Sequence, residues 1–180
     1  MRKKTLLFIL FALVSSFQLL AQEQDEPILE DADPNAAFKA SFLFMFTKSC
    51  NWPQENKEGE FVLSVVGSKK VFDELSYTYA SKPVGAQILV VELLTDLNNI
   101  ENSHVIFISR AQSKLLPEVV KRCTGLPILI VSETTGGLDV GAALNFVIVD
   151  NAIRYELNQQ HAQDASIEIG SKLTQYAIKP

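Results

Sequence analysis

Histidine is nearly absent from this 180-residue chain, occurring only as His104 and His161. His104 opens an apolar run and His161 lies in a polar helical stretch, so a histidine-based triad or a zinc site has few parts to draw on. Each reads as a surface or capping residue. The nucleophile elbow, a serine framed by glycines on a strand-to-helix turn, is missing. Gly67-Ser68-Lys69-Lys70 follows an apolar run but lacks the glycine spacing that cradles phosphate, which leaves an exposed turn. Gly137 and Gly141 share the spacing of packed membrane helices, yet they fall in a loop-like stretch. No metal and no cofactor is expected.

Positive charge is also scarce. Sixteen Lys and Arg face 21 Asp and Glu, a formal net charge of -5, and no basic stripe of the kind nucleic acid requires is present. Three of the basic residues, Arg2, Lys3 and Lys4, precede an apolar run from Leu6 to Leu20 and Ala21. That layout is a secretory signal peptide over residues 1–21, with cleavage expected after Ala21. Its about 16 apolar positions, broken by Ser15, Ser16 and Gln18, fall short of the roughly 20 needed to span a bilayer. With no cysteine just after the run, lipid attachment there is not expected. Without the leader the formal charge moves to -8, since the leader contains three basic and no acidic residues. Glu23, Asp25, Glu26, Glu30, Asp31 and Asp33 then form an acidic stretch without a basic residue, a disordered tether over residues 22–33.

The rest, residues 34–180, has 47% apolar content across the chain behind it and room for one well-packed core. Asp33-Pro34 suits a helix start. The helix that follows runs to about Cys50 and is unusually apolar, with Phe38, Phe42, Met45 and Phe46 on one stripe and Leu43 and Phe44 off it. Asn51-Trp52-Pro53 ends it. Apolar runs at 61–66, 87–93, 105–108 and 128–131 alternate with helical patterns at 71–79 and 111–123, so the strands are parallel and buried on both faces. Two further runs, 145–149 and 153–157, are joined by Asp150-Asn151-Ala152, a connection short enough only for a hairpin. Asn158 can cap a last helical region over 159–165, and a further turn covers 171–177. The expected fold is a single three-layer α/β domain: a mostly parallel, doubly wound sheet of about six strands, ending in an antiparallel hairpin and preceded by an N-terminal helix.

The joints of this pattern resemble the YfiR family of secreted bacterial proteins. They are Ala37-Phe38-Lys39-Ala40 with Phe46 and Trp52-Pro53, His104-Val105-Ile106-Phe107-Ile108-Ser109, Val131-Ser132, Asn145-Phe146, and Glu156-Leu157-Asn158 leading to Ser171-Lys172-Leu173. The likeness spans about residues 36–177. Gly170 departs from it, standing where a serine is expected, and the 134–142 loop lacks an aromatic residue. The resemblance implies a periplasmic regulator rather than an enzyme. YfiR represses an inner-membrane diguanylate cyclase through that enzyme's periplasmic sensor part, so the implied partner is an inner-membrane signalling protein, a cyclase or a sensor kinase. A second copy of the chain and a small-molecule ligand stay open as further partners.

Three local expectations follow from the residues. Leu43 and Phe44, off the aromatic stripe, are candidates for a partner-binding surface on the first helix. A ligand crevice is expected where the strand order reverses, at the carboxyl ends of the parallel strands, with Ser68, Ser109, Arg110, Ser132 and Glu133 around it. The alternative there is that Ser109 caps a helix and that Arg110 and Glu133 are ordinary loop charges. Cys50 and Cys123 are either a disulfide, as an oxidising compartment allows, or two separate buried thiols.

Overall fold

The apolar runs become the inner strands of one mixed sheet in the computed structural model, which describes residues 33–179. The expected signal peptide, and the tether as far as Ala32, lie outside the described residues. Helix α1 (Ala36–Ser49) leads to β1 (Cys50–Asn51), β2 (Glu60–Val66), α2 (Lys69–Tyr79), β3 (Pro83–Val84), β4 (Gln87–Leu94) and β5 (Val105–Ile108). Then come α3 (Leu116–Arg122), β6 (Leu129–Ser132), α4 (Gly137–Val140), β7 (Leu144–Val149), β8 (Ala152–Leu157), α5 (Gln159–Asp164), β9 (Glu168–Ile169) and α6 (Ser171–Tyr176).

Seven strands pair in the order β3-β4-β2-β5-β6-β7-β8. The five from β4 to β7 are parallel, and β3 and β8 are antiparallel at the two edges. The seventh strand, beyond the six expected, is β3. Its two residues are too few to show a period, and it begins with Pro83, which an edge tolerates. A separate ribbon pairs β1 with β9. There Gly170 N–H donates to the Ser49 carbonyl at 2.8 Å, and a Cβ at Gly170 would run into that same carbonyl. This close approach accounts for glycine at that position.

Strand side chains alternate between faces, which divides the core in two. Val105 and Phe107 join α1 and α2 on one face, while Ile106 and Ile108 join α3 on the other. The β7–β8 hairpin turns on Asp150 and Asn151, both at positive φ (49° and 58°), the backbone a two-residue turn needs to match strand twist.

The buried face of α1 differs from the expected aromatic stripe. It consists of Ala36, Lys39, Ala40, Leu43, Phe46 and Thr47. Leu43 is 0% exposed, so it belongs to the core and is no partner contact. The buried face lies one residue on from the aromatic stripe because Lys39, paired with two carboxylates, is taken into the core side of the helix, which leaves Phe38 outside. Phe38 is in fact 62% exposed. Phe44 is half-buried, stacked on Tyr79 of α2 with ring centroids 4.6 Å apart, and Lys82 Nζ lies 4.8 Å from the Tyr79 centroid.

The two cysteines are unpaired. Cys50 packs against the core on the α1 face and Cys123 belongs to the core on the α3 face, so the sheet separates them and the disulfide is not formed. Burial pushes the Cys50 thiol up to about 12 and the Cys123 thiol up to about 11, which keeps both protonated and unreactive at neutral pH. Unreduced protein is expected to show both thiols to a thiol reagent in denaturant and neither when native. No reactive thiol in the unreduced, denatured chain would contradict this.

His104, at the amino end of β5, is a core-edge residue rather than a surface one. Its ring stacks on Phe61 at 4.5 Å, and Trp52 lies edge-on to Phe61 at 4.9 Å. The Val62 N–H donates to Nδ1 at 3.1 Å, so the ring proton is on Nε2, which donates to the Asn56 carbonyl at 3.0 Å. Burial lowers the pKa of His104 from 6.5, against a smaller upward pull from the Asn56 hydrogen bond. The unfolded chain therefore binds this proton more readily than the folded one. The stability due to neutral His104 is complete above pH 6.5 and is lost as the pH falls through 6.5 toward the lowered folded value. Denaturant unfolding at about pH 7.5 and about pH 5.5 should show the loss, and His104→Gln should reduce it. An equal loss in both proteins would remove His104 from the explanation.

Candidate functional site

The strand order reverses between β2 and β5. From β2 the chain passes through α2 on the α1 face to β4, and from β5 it passes through α3 on the opposite face to β6. Loops that leave adjacent parallel strands toward opposite faces open a crevice between them. A cleft of about 460 Å³ lies at this end of the sheet, and Ser68, Ser109, Arg110 and Glu133 all line it, together with Asp33, Lys39 and Ile148. A neighbouring cleft, between the ends of β2 and β4, has mixed walls, with Leu94, Leu97 and Leu115 beside Lys69, Asp96 and Gln112.

Ser132, expected at the opening, is instead buried beneath it. Strand alternation turns its side chain inward, where Oγ donates to Asn145 Oδ1 at 2.7 Å. The same Asn145 oxygen accepts from Thr134 N–H at 3.1 Å, and Asn145 Nδ2 donates to Glu156 Oε2 at 3.0 Å. Ser132 thus fixes the start of the loop that carries Glu133, without reaching the cleft. Ser109 stands at the N-cap position of the helical turn over Arg110–Leu115, but its side chain does not cap it: Oγ donates to the Gly67 carbonyl at 2.7 Å and ties the two diverging loops together at their base. Ser68 does cap, accepting from Val71 N–H at 3.2 Å at the start of α2.

Two residues that sequence reasoning did not place in the site dominate its electrostatics. Lys39 is only 3% exposed, and its Nζ lies 2.6 Å from Asp33 Oδ2 and 2.7 Å from Glu133 Oε2. Burying an ammonium without partners is prohibitive, so these two carboxylates make the buried position of Lys39 possible. Arg110 differs. It is 72% exposed and reaches Glu133 Oε1 only at 3.7 Å, with no hydrogen bond among the described residues. The cleft therefore holds a compensated cation in its wall and a largely free one at its rim. Among the described residues no group of three or more His, Cys, Asp or Glu side chains could hold a metal ion.

A comparison with protein families bears on what such a domain is. The sequence model of the YfiR/HmsC-like family matches residues 36–178, from the start of α1 to beyond α6. The chain belongs to the YfiR/HmsC-like family. A search of the curated proteins found no match. In this YfiR/HmsC-like domain the residues that carried the resemblance mostly hold joints together. Trp52 Nε1 donates to the Pro127 carbonyl at 3.0 Å, which fixes the segment after α1 to the loop before β6. Asn158 caps α5 by accepting from Gln160 and His161 N–H groups at 3.0 and 3.3 Å. Of the joint residues, Lys39 and Ser109 line the cleft.

Proposed function

We propose that this YfiR/HmsC-like protein is a periplasmic regulator that binds the periplasmic part of an inner-membrane signalling enzyme, such as a diguanylate cyclase, and represses it. On this reading residues 1–21 are a signal peptide, residues 22–33 an acidic tether, and the domain from residue 34 does the binding. Family membership over residues 36–178 is the observation that carries it. No helix among the described residues is long and apolar enough to cross a membrane, which is compatible with a partner supplying the membrane-spanning part. The exposed apolar side chains Phe38, on the first turn of α1, and Ile148, on β7 at the cleft, favour this end of the domain for docking. Deleting the gene should raise cellular cyclic di-GMP, and restoring the exported chain should lower it again. A level unmoved by both would exclude a diguanylate cyclase as the target.

The cleft at the strand-order reversal favours a second reading, a periplasmic small-molecule-binding protein. Its volume of about 460 Å³ falls within the usual range of such sites, roughly 300–1,000 Å³. A ligand-dependent rise in the melting temperature of the purified domain would support that reading.

A further inference from the structure

Asp33 occupies an unusual position in the cleft. It precedes α1 and lies at the start of the described chain, yet its carboxylate accepts one of the two hydrogen bonds that a buried lysine makes. Glu133, which takes the other, is held from behind by the network of Ser132, Thr134 and Asn145 around the end of β6. The two carboxylates therefore differ in how they are anchored. Glu133 stands on the loop directly after β6, whereas Asp33 is supplied by the segment leading into the domain and is otherwise held by the helix start, its Oδ1 accepting from Asn35 N–H at 3.0 Å. An ammonium has three donors, and two are used here. Arg110 stands at the rim with its guanidinium free of hydrogen bonds among the described residues. If Asp33 is taken away, the charged side chains of the cleft become Lys39, Arg110 and Glu133, one positive charge in excess. A single carboxylate restores the balance. The largest apolar side chain in the lining is Ile148, 49% exposed, beside Pro34 and Ala111.

We propose that the cleft binds a monocarboxylate with a short apolar body, which replaces Asp33 on Lys39 and meets Arg110 and Ile148, so that Asp33 acts as a built-in competitor. The carboxylate comes from a free organic acid or from an acidic side chain of a protein partner, and the chemistry of recognition is the same. An internal competitor reduces apparent affinity by the fraction of molecules in which it has left the site. Removing its charge must therefore tighten binding, whereas removing the lysine must abolish it.

The test titrates butyrate, with butyramide as the uncharged control, into the wild-type domain, Asp33→Asn and Lys39→Met, each first checked for a cooperative unfolding transition. For a free acid, Asp33→Asn should bind butyrate roughly tenfold more tightly than wild type, Lys39→Met should not bind it, and butyramide should bind to none. For a partner's side chain, butyrate should bind weakly throughout, while Asp33→Asn captures the inner-membrane partner more strongly than wild type. The first arm uses purified protein alone, so its failure leaves the regulator reading untouched. If Asp33→Asn changes neither butyrate binding nor partner capture, the competitor role is wrong, even should Lys39→Met fail to fold.

Discussion

Replacing Lys39 by alanine should lower the folding stability by about 3–5 kcal/mol, the usual consequence of removing one partner from a buried ion pair. The loss arises chiefly from what remains. Glu133 is 12% exposed and hydrogen-bonded through one oxygen to the missing ammonium, so its charge is left with only the distant Arg110 contact. The double variant Lys39→Met/Glu133→Gln should recover part of the loss, because it removes the more deeply buried of the two stranded carboxylates, Asp33 being the other, while keeping the volume. Denaturant unfolding of the two variants measures both effects. A loss of less than about 1 kcal/mol in Lys39→Ala would mean that water reaches Glu133 and that the pair behaves as a surface contact.

Phe46→Ala should cost a similar amount, about 3–5 kcal/mol, for a different reason. Phe46 is fully buried and its ring meets Phe146 at 5.8 Å and Tyr155 at 5.1 Å, so truncation opens a cavity where α1 crosses β7 and β8. Its neighbours are themselves rotamer-locked by packing, which limits collapse into the space. Phe44→Ala is the internal comparison. Its half-buried ring stacks only on Tyr79, and its loss should be clearly smaller. Equal losses at the two positions would contradict the buried face of α1 described above.

How legible these features were in the sequence depended on the kind of signal. The inner strands and the β7–β8 hairpin were readable because continuous apolar runs and a short polar connection each have few structural interpretations. The position of the crevice was readable from topology alone, since the order of strands and helices dictates where loops diverge. Lys39 was not, because its burial depends on Asp33, six residues earlier, and Glu133, ninety-four residues later. The available signal was a lysine interrupting an otherwise apolar helix face at Ala36, Ala40 and Leu43 spacing. Larger aromatic side chains nearby outweighed it. The disulfide question turned on which face of the sheet each helix covers, a property that parallel crossovers leave open until the whole order is known. Ser132 was misplaced for a related reason: the strand extends one residue further than its apolar run, and that residue points inward.

The most direct measurement is crosslinking of the exported domain in living cells, through a photoreactive residue at position 38 on the exposed side of α1, followed by recovery of its partners from inner membranes. A regulator of the proposed kind should crosslink to an inner-membrane protein that combines a periplasmic part with a cytoplasmic signalling domain, and Phe38→Glu should reduce that protein's recovery without lowering the melting temperature. Recovery of no membrane protein, in cells where the domain is exported and folded, would contradict it.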